Sequence, residues 1–176
     1  VWRSTDGVTW TCVNPGAAWE PRQDAACVSF DGKLWVIGGS HNHYDGTGWH
    51  VLNDVWHSVD GVTWEQAPGP VPWAGRSQSA CFEYDGKLWL LSGGRSDGSV
   101  LTDLWSSPDG LDWTLVSDSV PLQAMSSAAP VFGGLVWRMV GYQQQPPHAA
   151  NQTWAYKPSS GRWMNVPTEH VWSERT

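Results

Sequence analysis

Residues 1–10 read Val-Trp-Arg-Ser-Thr-Asp-Gly-Val-Thr-Trp, and the same pattern returns twice further along the chain. It recurs at 55–64 as Val-Trp-His-Ser-Val-Asp-Gly-Val-Thr-Trp and at 104–113 as Leu-Trp-Ser-Ser-Pro-Asp-Gly-Leu-Asp-Trp. A degraded copy runs from Trp154 to Trp163. The copies begin 49 to 54 residues apart. Self-similarity at such a period indicates a repeat architecture in which each copy is one supersecondary unit.

Each repeat predicts four short β-strands separated by tight turns. Asp-Gly between alternating apolar residues is a strong hairpin signal, because the tight turn needs positive φ. The 19 glycines and 12 prolines recur too often for a helix. In the first complete repeat we predict strands at Asp24–Phe30, Lys33–Ile37, Asn53–His57 and Val62–Glu65. Four strands in about 50 residues are typical of a propeller blade, and the 15 tryptophans then serve to pack one blade on the next.

A second block follows each copy of the first. It reads Phe-Asp-Gly-Lys-Leu-Trp at 30–35, Tyr-Asp-Gly-Lys-Leu-Trp at 84–89 and Phe-Gly-Gly-Leu-Val-Trp at 132–137. The first two blocks lead into Gly38-Gly39 and Gly93-Gly94. With the arginine that opens the first strands and the tryptophan on the fourth, these features resemble kelch repeats over essentially the whole chain. The Ser-x-Asp-Gly-x-x-Trp element is also similar to the Asp-box hairpin of sialidase-type propellers, although it is one residue shorter.

The resemblance implies an all-β fold, a partial β-propeller built from kelch-type four-stranded antiparallel blades. In kelch strand order the chain is a single segment of about three and a half blades: a half blade at 1–21, blades at 22–67, 76–117 and 125–166, and the start of a further repeat at 167–176. Propellers close with about four to eight blades. We therefore expect that further blades from the same gene product, another copy or a partner complete the ring.

Composition and charge exclude several classes of partner. With 17 acidic and 10 basic residues the net charge is −7, which disfavours phosphate backbones and anionic membrane surfaces. No apolar run reaches the ~20 residues of a membrane-spanning helix. Three cysteines without C-x-x-C spacing predict neither a disulfide framework nor a zinc site. We expect no nucleic acid partner, no membrane insertion and no cofactor. The sequence leaves the cellular compartment undecided and weakly favours a secreted or cell-surface location.

The loops that enter the first strands carry the candidate ligand-binding residues. Positions nine and twelve after the fourth-strand tryptophans are occupied by Trp19 and Arg22, Trp73 and Arg76, and Trp172 and Arg175. In the kelch family this arginine position lines a binding face that captures carboxylate-bearing peptides in several members, and a guanidinium grips a carboxylate in bidentate fashion. The alternative is structural: the arginines bond loop carbonyls and hold adjacent blades together, and the tryptophans seal the blade junctions. Leu122 and Met125 interrupt the pattern in the third full repeat.

One loop is longer than its counterparts. Between Gly39 and Asp54 the chain carries an insertion that includes His41, His43, Tyr44, Trp49 and His50. Insertions in one copy of a repeat map to loops on one face, often the binding face. The insertion is therefore a recognition loop or a plain surface loop, and a weaker third interpretation gives His41, His43 and His50 a metal ion.

The function expected from these features is a non-catalytic binding or scaffold module that recognises a protein or peptide through the propeller face formed by the inter-blade loops. No set of residues predicts a catalytic site. Two alternatives remain open: a lectin-like module that binds carbohydrate through the same tryptophans, and a part of a larger kelch-type oxidase or sialidase-like enzyme whose catalytic residues lie in other blades.

Overall fold

The computed structural model describes residues 1–43, 48–121, 129–142 and 149–166. Within these residues the chain is all-β, with short antiparallel strands and one 3-10 turn at Pro158–Ser160. None of the described helical segments is long and apolar enough to cross a membrane.

The described strands form three four-stranded antiparallel sheets and two hairpins. The first hairpin pairs β1 (Trp2–Arg3) with β2 (Thr11–Cys12). The first sheet has the order β3-β4-β7-β8, with β3 (Ala26–Phe30), β4 (Lys33–Ile37), β7 (Val55–Ser58) and β8 (Glu65–Gln66). The second hairpin, β5 (Ser40–His43) and β6 (Gly48–Val51), is inserted between β4 and β7.

The second and third sheets repeat the same order without an inserted hairpin. The second sheet contains β9 (Ala80–Tyr84), β10 (Lys87–Gly94), β11 (Val100–Ser107) and β12 (Thr114–Ser117). The third contains β13 (Val131–Phe132), β14 (Leu135–Tyr142), β15 (Ala149–Lys157) and β16 (Arg162–Val166). The third strand predicted at Asn53–His57 is thus β7, which begins two residues later at Val55, and β11 is its counterpart in the second sheet.

The sheets pack face against face through two apolar clusters. Strand β10 contributes to both, because alternate residues of a strand point to opposite faces. Leu88 and Leu90 pack with Trp35 and Ile37 of the first sheet, whereas Trp89 lies in the cluster shared with the third sheet. Several four-stranded antiparallel sheets in this arrangement are consistent with a propeller-like fold.

The Ser-x-Asp-Gly turn explains why the fourth strand starts later than the predicted Val62. The hydroxyl of Ser58 accepts the N–H of Gly61 at 2.8 Å, and the carboxylate of Asp60 accepts the N–H groups of Val62 and Thr63 at 2.8 Å. Side chains thus satisfy these backbone donors in place of a strand partner. Strand β8 therefore begins only at Glu65. The same bonds recur at Asp6 and Asp109.

The glycine pairs Gly38-Gly39 and Gly93-Gly94 do not occupy equivalent positions in the first and second sheets. Position 38 corresponds to Ser92 and position 39 to Gly93, because Gly38 and Ser92 lie three residues after Trp35 and Trp89 and have φ of 59° and 57°. Only the second position is glycine in both repeats, with φ of 103° and 130°. Adding a Cβ to Gly93 would place it 2.4 Å from the hydroxyl of Ser79.

Candidate binding cleft

An open cleft of about 300 Å³ lies where the first strands of two neighbouring sheets begin. Its walls are the chain just before β3 and β9 and the ends of β4 and β10, which are linked by the bridges Gln23–Ser40 and Ser77–Gly94. The residues that line it are Gln23, Asp24, Ser40, Val51, Ser77, Gln78, Gly94, Arg95, Ser96 and Gly98. Most of these residues carry hydroxyl, amide, carboxylate or guanidinium groups, and Val51 and the two glycines add apolar surface.

Asp24 and Gln78 occupy equivalent positions on the two walls, and both adopt a backbone conformation unusual for residues other than glycine. Their φ values are 55° and 57°. The N–H of Gln78 donates to the carbonyl of Asp24 at 2.9 Å, and its side-chain amide lies 3.4 Å from the Asp24 carboxylate. Non-glycine residues held in this region cluster at ligand-binding and active sites.

A charged hairpin tip forms the rim of the cleft. The turn at 95–99 is closed by backbone bonds from Arg95 to Ser99 and from Gly98 to Arg95. The Arg95 side chain is exposed, as is that of Asp24. Hydrogen bonds from the hydroxyl and N–H of Ser99 lower the pKa of Asp97. The rim thus offers both signs of charge to a ligand.

Arg22 and Arg76, which the sequence suggested as ligand contacts, instead form buried ion pairs within their own sheets. Arg76 is fully buried and binds Asp103 through two hydrogen bonds of 2.8 Å, with a third bond of 3.0 Å to the carbonyl of Ser92. Arg22 binds Asp54 in the same bidentate way at 2.6 and 2.8 Å. We call these two pairs the arginine clamps. The structural alternative fits this geometry, because a ligand could reach Arg76 only by breaking its clamp.

The clamps lower the pKa of their carboxylates. Burial acts to raise the pKa of Asp103, but hydrogen bonds from Arg76 and Trp105 outweigh it and hold the pKa below its ordinary value. The balance is the same at Asp54, where Arg22 and Trp56 donate the hydrogen bonds.

The clamps predict how stability depends on pH. The folded pKa of Asp103 lies below the unfolded value of ~3.9, so the unfolded chain binds protons first as the pH falls. Stability present at neutral pH is therefore lost progressively below about pH 4, and the melting temperature should fall steeply there. The Asp103→Asn variant should melt earlier at pH 7 and show a weaker acid dependence, whereas Asp118→Asn, at an exposed carboxylate, should follow the wild type. Thermal unfolding followed by circular dichroism across a pH series measures this. If the melting temperatures of Asp103→Asn and the wild type fall equally with decreasing pH, the clamp does not cause the acid dependence.

Trp19 and Trp73 pack onto the sheets rather than pointing to solvent as a stacking platform. The ring of Trp73 lies 4.6 Å from Trp113 and 5.9 Å from Trp105, in edge-on contacts, and is 5% exposed. Trp19 makes the same pair of contacts, at 4.3 and 6.0 Å, with the tryptophans at 64 and 56. Both linker tryptophans therefore pack against the two repeated tryptophans of the sheet that they enter.

The inserted segment is a β-hairpin for most of its length. Its register places His41 opposite His50, with ring centroids 5.8 Å apart, and the Glu20 carboxylate lies 3.4 Å from Nε2 of His41. In the described residues no group of three or more His, Cys, Asp or Glu side chains is arranged to hold a metal ion. The three cysteines are free thiols.

Some of the candidate residues fall outside the described part. Tyr44, Trp172 and Arg175 lie outside the described residues, and the side chains of His43 and Trp49 are not described. The structure therefore brings the candidate arginines and tryptophans into the sheets and leaves these five positions untested.

The cleft residues themselves were not predicted. Asp24 and Gln78 stand two positions after each clamp arginine, and Arg95 stands at a hairpin tip. Their residue types differ between repeats, so a search for repeated residues passes over them. The signal that could have found them is their fixed distance from the arginines.

Fold and cleft together define a class: an all-β protein of four-stranded antiparallel sheets with an open cleft at the starts of its first strands. No family model matches the chain, and no curated protein matches it. The solved structure of YjhT is similar in fold, with a TM-score of 0.76 over 92% of this chain. The two sequences are 18% identical, so the likeness concerns the fold alone. The chain spans 56% of the length of YjhT.

Proposed function

We propose that this chain is a kelch-type propeller segment of about three and a half blades that acts as a non-catalytic binding module. Its partner is a protein or peptide segment that enters the cleft between the first and second sheets. The observation that carries the proposal is the pairing of Asp24 and Gln78, which both have positive φ and are joined by a backbone hydrogen bond, in the lining of this open cleft.

The chemistry of the cleft favours a peptide over other polar ligands. Exposed groups of opposite charge, Asp24 and Arg95, stand with the hydroxyl-bearing residues Ser77 and Ser96 around the opening of the cleft. A peptide offers complementary N–H and carbonyl groups together with charged side chains. Arg95 can grip a carboxylate through charge-assisted bonds. The partner segment that fits best is therefore acidic at the Arg95 end.

Carbohydrate recognition remains the second candidate, supported by the hydroxyl and amide groups of the lining. Sugar rings usually stack on an exposed aromatic face, whereas Trp73 is 5% exposed and Trp19 is partly buried against Trp64. An enzymatic role in a larger propeller would need residues beyond those that line this cleft.

The test is the affinity of the full chain for a library of acidic, basic and neutral peptides and for a glycan panel. We expect acidic peptides to bind, and Arg95→Ala to weaken them about 10- to 100-fold, because a charged hydrogen bond contributes about 1.5–3 kcal/mol. Binding should weaken with added salt. Fluorescence anisotropy of labelled peptides measures both effects.

Arg162→Ala is the matched control, because it removes the same charge from an exposed position on the outer strand β16. It should leave peptide affinity unchanged. Equal losses from Arg95→Ala and Arg162→Ala would reduce the effect to net charge and overturn the proposal. Binding to glycans but not to peptides would replace it with the lectin-like alternative.

A further inference from the structure

The outer edges of the three sheets differ in how they are protected from other chains. Within the described residues, the outer strands β8, β12 and β16 each pair on one side only. Proteins usually protect such an edge with a very short strand, charged side chains or proline. Strand β8 has two residues, one of them Glu65, and β16 begins with Arg162. Strand β12 reads Thr-Leu-Val-Ser and has neither a charge nor a proline.

The residue opposite the third-strand tryptophan sets β12 further apart from the other outer strands. It is Gln66 in the first sheet and Asn165 in the third sheet, opposite the tryptophans at 56 and 154. In the second sheet it is Leu115, opposite Trp105, and Leu115 is 45% exposed. An apolar side chain therefore stands on this edge where the neighbouring sheets have an amide.

A β-bulge adds a second exposed apolar side chain beside Leu115. The pairs Trp105–Leu115 and Leu104–Ser117 leave Val116 without a residue opposite it on β11, and Val116 is 43% exposed. Both faces of the second sheet are covered by apolar clusters, one shared with the first sheet and one with the third. The exposed pair is therefore a feature of the outer edge of this sheet. Adjacent exposed apolar residues on an uncharged edge strand indicate an interaction site.

Carboxylates stand at both ends of β12. Asp112 precedes the strand by two residues and Asp118 follows it directly, and both side chains are exposed. Residues 109–118 contain three aspartates and no lysine or arginine. At 3.3 Å per residue of extended chain, Asp112 and Asp118 are about 20 Å apart. The edge is thus apolar in its middle and acidic at both ends.

We propose that the β12 edge binds an extended segment of another protein as a fifth strand of the second sheet. The segment has apolar residues at its centre and lysine or arginine at both ends, to complement Leu115, Val116 and the two aspartates. In strand addition the main-chain hydrogen bonds supply affinity, and alternate side chains supply specificity. This site is separate from the cleft, because β9 and β12 are opposite edges of the second sheet.

The charge of the edge argues against a second copy of this chain as the occupant. Pairing β12 with β12 of another copy would bring the aspartates of one copy next to those of the other. Like charges that face each other across two strands are destabilising. A partner with basic residues about six positions apart meets the same carboxylates with attraction.

Fluorescence anisotropy of the labelled peptide Lys-Thr-Val-Thr-Val-Thr-Lys with the full chain tests the proposal. We expect it to bind, and binding should weaken with added salt. A peptide with glutamate in place of both lysines should not bind. A third peptide keeps the lysines but has proline at two adjacent central positions. It should not bind either, because N–H groups along a strand alternate in direction, and one of the two lost donors would face β12.

Variants of the chain separate the apolar contribution from the charged one. Leu115→Ser should weaken binding of the lysine peptide about three- to tenfold, because roughly half of this side chain is left to bury. Asp112→Asn combined with Asp118→Asn should weaken it by a similar factor and remove the salt dependence. Hydrogen–deuterium exchange at 114–117 should slow when the peptide binds. Circular dichroism checks the fold of each variant, and the proline peptide tests the pairing on the unaltered chain.

Val59→Ser and Asp85→Asn are the matched controls, since they change an exposed valine and an exposed aspartate that lie outside β12. Both should bind the lysine peptide like the wild type. Equal weakening by the controls would overturn the proposal, because the attraction would then be nonspecific. The proposal also fails if the wild type shows no binding at ~1 mM protein, or if Leu115→Ser or the proline peptide changes nothing.

Two further measurements separate this site from its alternatives. If sedimentation velocity shows self-association that Leu115→Ser removes, a second copy occupies the edge and the proposed partner is wrong. Arg95→Ala should leave binding of the lysine peptide unchanged, and the Asp112 and Asp118 variant should leave binding of acidic peptides unchanged. Failure at the edge is therefore distinguishable from failure in the cleft.

Discussion

Replacing Gly110 with alanine should lower the free energy of unfolding by about 2–5 kcal/mol. A left-handed backbone costs an L-residue ~1–2 kcal/mol, and Gly110 has φ of 79°. The added Cβ would also stand 2.2 Å from the ring of Trp35, which is 1% exposed and fixed in the core between two sheets. Forcing atoms into a packed core costs a further ~1–3 kcal/mol. Chemical denaturation followed by tryptophan fluorescence measures the loss.

Two equivalent glycines in other repeats separate the cost of backbone strain from the cost of the contact with Trp35. Gly7 and Gly61 stand at the same turn position with φ of 74° and 75°, but the added Cβ meets nothing within 4 Å at Gly7 and only Leu34, at 3.5 Å, at Gly61. Their alanine variants should lose only the ~1–2 kcal/mol of backbone strain. If Gly7→Ala and Gly110→Ala are equally destabilising, the contact with Trp35 contributes nothing.

Arg76→Ala should destabilise the fold by about 3–5 kcal/mol, because it leaves the half-buried carboxylate of Asp103 without its ion pair. The carbonyl of Ser92 loses its donor in the same step. Replacing both partners of the clamp, as Arg76→Met with Asp103→Leu, should recover part of this loss, since an apolar pair of similar volume is often neutral. Urea titrations of the single and double variants measure the coupling between the two side chains.

Arg95→Ala and Arg76→Ala separate the two roles that an arginine can have in this chain, ligand binding and support of the fold. Arg95→Ala removes an exposed cation from the cleft rim, so stability should change by no more than ~0.5 kcal/mol while peptide binding weakens about 10- to 100-fold. Arg76→Ala should do the reverse, with normal peptide binding for each folded molecule. An Arg76→Ala protein that melts like the wild type would show that the clamp is not structural.

Strand positions could be predicted from the sequence because the turns are specified locally. Strand β4 (Lys33–Ile37) matches its prediction residue for residue, since the Asp-Gly turn before it is recognisable without knowledge of the fold. The start of β8 could not be predicted in the same way. It depends on how many backbone donors Asp60 accepts, and this number follows from three-dimensional geometry.

The sequence contains a signal for the partners of the clamp arginines. Asp54 and Asp103 each stand two residues before a repeated tryptophan, so the partner of each arginine recurs with the repeat. The cleft had no such signal, because Asp24 and Gln78 share a backbone conformation and not a residue type. A recurring side chain is visible in one sequence, whereas a recurring dihedral angle at a non-glycine residue is not.

Residue 76 belongs to two sheets at once. Its N–H and carbonyl bond Leu52 and Gly39 on the side of the first sheet, and its side chain bonds the second. During synthesis the first sheet therefore cannot complete its hydrogen bonds until the ribosome has released the beginning of the second. The first sheet waits for the start of the second, so these two sheets mature in overlapping steps rather than one after the other.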